Sequence, residues 1–148
     1  MRRVALTLGI ALAASMSAGA AEYRSIADGG AVMYDGPSTK ARPLFVATRN
    51  LPVEVISTDG TWVKVRDPGG DLTWVERKLL TDRRTVLVSA PLADIRQRAE
   101  EQATLVFQAA QGVVLDLGDQ SGVTPGWVRV KHRDGATGFV RINQVWGL

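Results

Sequence analysis

Alternating apolar and polar residues mark short strands at four places along the chain: Val53-Glu54-Val55, Trp62 to Arg66, Leu115-Asp116-Leu117 and Trp127 to Lys131. In a strand, successive side chains leave opposite faces, so each apolar-acidic-apolar triplet predicts a half-buried strand with its carboxylate toward water. By the same rule Val63 and Val65, like Val128 and Val130, face a core, and Lys64, Arg66, Arg129 and Lys131 face outward. Trp62 and Trp127 fall on the side of the cations, where each strand leaves a loop.

The four places are two copies of one pattern. Residues 33–58 align without a gap on 95–120 at an offset of 62, pairing Ala41 with Ala103, Phe45 with Phe107 and Ala47 with Ala109. Asn50 pairs with Gly112, and these residue types best tolerate a left-handed turn, so both copies are expected to turn there. Three extra residues then enter the second copy, where Ser121 to Gly126 answers Asp59 to Thr61. At the new offset of 65, Trp62-Val63-Lys64-Val65-Arg66 falls on Trp127-Val128-Arg129-Val130-Lys131, and Gly70, Trp74, Val75 and Leu80 fall on Gly135, Phe139, Val140 and Val145. Each copy therefore reads as strand, variable loop, strand, glycine-containing hairpin turn and strand. Asp67-Pro68-Gly69-Gly70 and Arg133-Asp134-Gly135 supply the turn residues. One stretch departs from the β pattern: Leu92, Ile95 and Ala99 recur at helical spacing within Pro91 to Thr104, which predicts a structured loop with at most a turn or two of helix.

The N-terminus changes the reading of charge and compartment. Arg2 and Arg3 precede the apolar run Val4 to Ala14 and the small residues Ser15 to Ala21, with Ala18-Gly19-Ala20 as an A-x-A cleavage signal. This predicts a secretory signal peptide over 1–20, cleavage near Ala20, and a periplasmic or secreted product. The run is too short for the ~20 residues of a spanning helix, so an integral membrane protein is not expected. The chain has 148 residues, 18 basic and 15 acidic; taking Arg2 and Arg3 from the 18 leaves 16 against 15, a near-neutral product. Nucleic acid is a poor partner for such a balance. The sequence contains no cysteine, which excludes disulfides and a lipid-bearing cysteine. Hydrophobic residues at 45% and charged residues at 22% fit a globular chain.

The sequence carries no enzymatic signature. His132, the only histidine, has no cysteine or second histidine with which to hold a metal, and a solvated turn residue accounts for it. No serine sits in a nucleophile elbow, the glycines occupy turns, and Glu100-Glu101, Asp116 and Asp119 read as surface carboxylates. No enzyme, cofactor or metal is expected. Among the aromatics, Trp74 and Phe139 read as core because each precedes a valine in a closing strand. For Trp62 and Trp127, core and ligand platform fit equally well. Trp146 either closes the second unit or forms a contact patch.

Two stretches, Met33-Tyr34-Asp35-Gly36-Pro37-Ser38 and Trp62-Val63-Lys64-Val65 with Trp74-Val75, resemble the bacterial Src-homology-3-like (SH3-like) domains, small five-stranded barrels often found in exported proteins. Ala93-Asp94-Ile95-Arg96, Trp127-Val128-Arg129-Val130 and Gly138-Phe139-Val140 are the matching pieces of the second copy. The resemblance implies an all-β chain of two tandem SH3-like β-barrels of about five strands each, over 21–84 and 85–148. It also implies a binding role at the cell envelope, toward peptidoglycan or an envelope protein; an interaction scaffold or dimer-forming domain without a small ligand is the alternative. Trp62 and Trp127 match the groove tryptophan of the animal members, and Tyr34 lies near their first-loop aromatics. With Arg96, the counterpart of Tyr34, these are the candidate ligand-binding residues. Glu76 and Leu79, and Arg141 and Gln144, stand where the far wall of that groove carries proline and tyrosine, so proline-helix recognition is not implied.

Overall fold

The computed structural model describes residues 19–148. The expected signal segment lies outside them, apart from Gly19 and Ala20. Two antiparallel sheets follow one another in the chain. The first holds β1 (Glu22–Ile26), β2 (Ala31–Tyr34), β3 (Pro43–Ala47), β4 (Pro52–Asp59), β5 (Trp62–Arg66), β6 (Leu72–Glu76) and β7 (Leu80–Thr81), in the order β3-β2-β6-β5-β4-β1-β7. The second holds β8 (Thr85–Val88), β9 (Leu92–Arg96), β10 (Leu105–Ala110), β11 (Val114–Leu117), β12 (Trp127–Lys131), β13 (Thr137–Arg141) and β14 (Val145–Trp146), in the same relative order. The all-β, tandem architecture is thus the expected one. Each unit counts seven strands because the opening strand also pairs with a two-residue strand that follows a 3-10 turn, Arg77–Leu79 or Ile142–Gln144.

Each sheet folds over its own core. In the first, Ile26, Met33, Val53, Val65 and Val75 are fully buried; in the second, Val86, Val88, Ile95, Leu115, Val130 and Val140 are. The valines of β5 and β12 therefore lie where their alternation puts them. Replacing any of these side chains with alanine removes packing worth about 2–5 kcal/mol for Ile, Leu or Met. The carboxylate of the first triplet also faces outward, where Glu54 pairs with Arg66 across the strands at 2.8 Å.

Turn chemistry fixes the strand order. Asn50 has φ of 66° and Gly112 of 88°, and their amides donate equivalent 2.8 Å hydrogen bonds to the Ile26 and Val88 carbonyls. Gly70 and Gly135, at φ of 93° and 97°, close the two hairpins. The strands flanking the three-residue insertion differ between copies: β4 runs on to Asp59, whereas β11 stops at Leu117. There the Gln120 side-chain amide accepts from the Arg129 amide at 3.0 Å and donates to the Arg129 carbonyl at 2.9 Å. It substitutes for a strand residue and lets the longer loop leave the sheet.

The helical reading of Pro91 to Thr104 is corrected. Leu92–Arg96 is β9, with Ala93 and Ile95 buried and Leu92 on the exposed side, followed by turns rather than helix. A spacing of three between Leu92 and Ile95 fitted a helix, but Ala93 and Ile95 alternate into the core, and tertiary burial decides.

The units lean on one another through a linker of three residues, Asp82 to Arg84. Thr85 Oγ1 donates to the Asn50 carbonyl at 2.7 Å and lies 3.1 Å from Ser25 Oγ, which donates to the Arg83 carbonyl. Trp146 closes the second sheet as part of β14, opposite Leu87, and also meets Tyr23 edge to face at 5.3 Å, so it serves both the unit and the contact between units. Above Tyr23 lies the Arg84 guanidinium, at 5.6 Å, which also donates to the Gly147 carbonyl at 2.9 Å. Among the described residues no helix is long and apolar enough to cross a membrane.

Candidate functional site

Backbone register decides what stands beside each loop-edge tryptophan. In the hairpin of β5 and β6, Trp62 pairs with Glu76, Lys64 with Trp74 and Arg66 with Leu72. In that of β12 and β13, Trp127 pairs with Arg141 and Arg129 with Phe139. Because directly opposed residues share a face, an outward band of alternating aromatic and charged side chains crosses both hairpins. Lys64 sits 6.0 Å above Trp74 and Arg129 5.2 Å above Phe139, distances at which a cation is drawn to the ring face.

Trp74 and Phe139 are consequently not core residues. Val75 and Val140 are fully buried, and the pleat turns the residues before them outward, where both are half-buried. The expectation that aromatics of so small a unit fill its core fails because methionine, isoleucine and valine already fill it.

The four candidate residues gather into two equivalent places. In the first unit, Tyr34 packs edge to face on Trp62 at 5.4 Å, and both are half-buried. Thr61, Glu76, Arg77 and Lys78 line a shallow hollow of about 430 Å³ at the same edge. In the second unit, Arg96 and Trp127 line one cleft of about 640 Å³ with Asp94, Glu101, Arg141 and Gln144. Trp127 is 7% exposed and covered by the Arg141 guanidinium, 4.6 Å from its ring. It is thus both floor and core.

Charges in this cleft are held in place by one another. Arg96 donates to Asp94 at 3.0 Å and to the Ala103 carbonyl at 2.9 Å, while Arg141 donates to Glu101. Gln108 adds a 2.7 Å hydrogen bond to Asp94. Two cations and two carboxylates thus alternate around one buried indole, an arrangement suited to a polar ligand that offers donors, acceptors and an apolar patch. Arg141, Glu101 and Asp94 escaped the sequence reading as site residues. Arg141 was accessible through the hairpin, which pairs it with Trp127 once the turn is placed; Glu101 was not, because it comes from a loop 40 residues away.

Tyr34 and Arg96 occupy the same position of the repeat, and so do Glu76 and Arg141, so the two copies present different chemistry on one scaffold. Among the described residues no three His, Cys, Asp or Glu side chains stand together as a metal site would need.

The model of the bacterial SH3 domain matches residues 27–82 and again 89–147. The chain belongs to the bacterial SH3 domain family. No curated protein matches it. Among solved structures it is similar to NlpC1 from Trichomonas vaginalis, at 18% identity over 94% of this chain and 50% of that one, with a TM-score of 0.36. It is also similar to NlpC2 from the same organism, at 14% identity over 85% of this chain and 48% of that one, with a TM-score of 0.36. The chain spans about half the length of these structures.

Proposed function

We propose that this bacterial SH3 protein is an exported, non-catalytic binding module of the cell envelope, with units over 21–84 and 85–148, and that its ligand is cell-wall peptidoglycan. The observation that carries this reading is the second-unit cleft, in which Trp127 underlies two fixed ion pairs, Arg96 with Asp94 and Arg141 with Glu101. Wall glycan and its peptides combine amide donors and acceptors, carboxylates and apolar sugar faces, which such a cleft matches. The first-unit pair Tyr34 and Trp62 offers a second, more aromatic platform at the equivalent edge.

Titration with isolated sacculi tests the proposal. Co-sedimentation with sacculi and a change in tryptophan fluorescence are expected, both weakened by Arg141→Gln; neither pull-down nor spectral change in the parent protein would refute it.

A second reading, interaction with a protein partner or a second copy, is favoured by one feature. Edge strand β3 exposes Leu44, Phe45 and Val46, the last at 68%. Cross-linking in the periplasm would capture that partner, and a monomer that captures nothing reproducibly would sink this reading.

A further inference from the structure

A second cleft, of about 340 Å³, opens at the junction of the units, away from the tryptophans. Arg49 and Asn50 reach it from the first unit, Arg83 from the linker, and Asp116, His132 and Arg133 from the second. We infer that this junction cleft is an anion site for a phosphate-monoester group.

The charge balance selects the ligand. Arg83 is held by Asp116 through two hydrogen bonds, at 3.1 and 2.8 Å, and that pair is neutral. Arg49 and Arg133 form no ion pair among the described residues. The His132 ring is fixed between Phe107, 5.7 Å away, and Asp134, whose carboxylate lies 3.1 Å from Nδ1. Two arginines without an ion-pair partner among the described residues therefore line one concave space. A single carboxylate would neutralise one of them, whereas a phosphate monoester carries about −1.5 to −2 charge and three acceptor oxygens. Guanidinium forks match phosphate geometry, so the charge and the shape agree.

Comparison of the copies supports a purpose for these cations. At the equivalent places the other copy has Gln111 for Arg49 and Pro68 for Arg133. The fold of the repeat thus requires neither guanidinium. The left-handed residues Asn50 and Gly112 bring the two equivalent turns to the walls of the same cleft. Neither unit alone contains it.

The test is a titration of the full chain, in low-salt buffer near neutral pH, followed by NMR of the arginine side-chain Nε–H signals. Inorganic phosphate is expected to shift Arg49 and Arg133 saturably while Arg66 and Arg129 on the outer band do not respond. The double variant Arg49→Gln, Arg133→Gln should weaken binding at least about tenfold, with thermal midpoint unchanged because both side chains are exposed. Glycerol 3-phosphate is a second arm: tighter binding than inorganic phosphate identifies an organic ester as the source, and equal binding identifies the free ion. Acetate binding as tightly as phosphate, equal shifts of Arg66 and Arg129, or full retention of affinity in the double variant would each overturn the assignment.

Discussion

The same edge of the same barrel carries aromatic rings in the first unit and ion pairs in the second. Tyr34 rests on Trp62 in one; Arg96 and Arg141 frame Trp127 in the other. The tryptophan is retained in both, yet it is half-buried in the first and nearly covered in the second. Duplication thus kept the strands that make a core and left the loop-facing positions free to diverge, which is where binding chemistry is ordinarily placed.

The sharpest difference between the copies lies inside the second sheet, where Gly138 stands at the position of Thr73. A β-carbon at 138 would lie 2.5 Å from Ile95 Cγ2 and 2.8 Å from the Arg96 carbonyl. Gly138→Ala should therefore destabilise the protein by roughly 3 kcal/mol, read from urea midpoints. Thr73, by contrast, is 1% exposed and its hydroxyl has no hydrogen-bond partner. Thr73→Val should be neutral or slightly stabilising, and an equal loss at both positions would erase the distinction drawn here.

The junction is next in size. Thr85→Val removes the donor to the Asn50 carbonyl and should cost about 1–2 kcal/mol, seen as a lower melting midpoint than the parent's. Identical melting of variant and parent would mean that the units do not support one another.

A smaller effect separates the binding edges. Arg141→Gln removes a guanidinium stacked on Trp127 and should cost about 0.5–1 kcal/mol of stability while blunting the sacculus-induced fluorescence change. Glu76→Gln, at the equivalent place, should alter neither; equal effects of the two variants would make the edges interchangeable.

The smallest effect is electrostatic. Burial, followed by the Glu54 carboxylate, raises the Tyr23 hydroxyl above the ordinary tyrosine value of 10.0. A group whose folded pKa is raised contributes stability that is complete below the unfolded value and fades as pH rises toward the folded one. The junction should thus loosen above about pH 10, and Tyr23→Phe should flatten that loss in alkaline melting curves. At the acid end the sign reverses. The Ser121 backbone and side-chain hydrogen bonds hold Asp119 below its ordinary value, so its contribution is lost only as pH falls through that lowered value.

Much of this was legible in the chain because it rests on local rules. The alternation around Val63 and Val128 fixed the buried face, and Asn50 and Gly112 announced turns that only left-handed residues make comfortably. The outward positions of Trp74 and Phe139 were implied by the same alternation; a preference for burying aromatics outweighed it. Glu101 against Arg141 and Tyr23 against Trp146 join residues far apart in sequence, and no period or motif signals a contact that depends on how two curled sheets meet.

The clasp of Arg84 on the Gly147 carbonyl, beside the edge-to-face contact of Trp146 with Tyr23, bears on the order of assembly. Each sheet closes through contacts within its own stretch, so the first can form while the second is still being delivered. The contact of Tyr23 with Trp146 joins the opening strand of the first unit to the closing strand of the second, a loop that spans almost the entire described chain and is slow to close. Docking is therefore expected to follow the folding of each sheet, and Trp146→Ala, which spares the backbone pairing of β14 with β8, should loosen the docking without unfolding either unit.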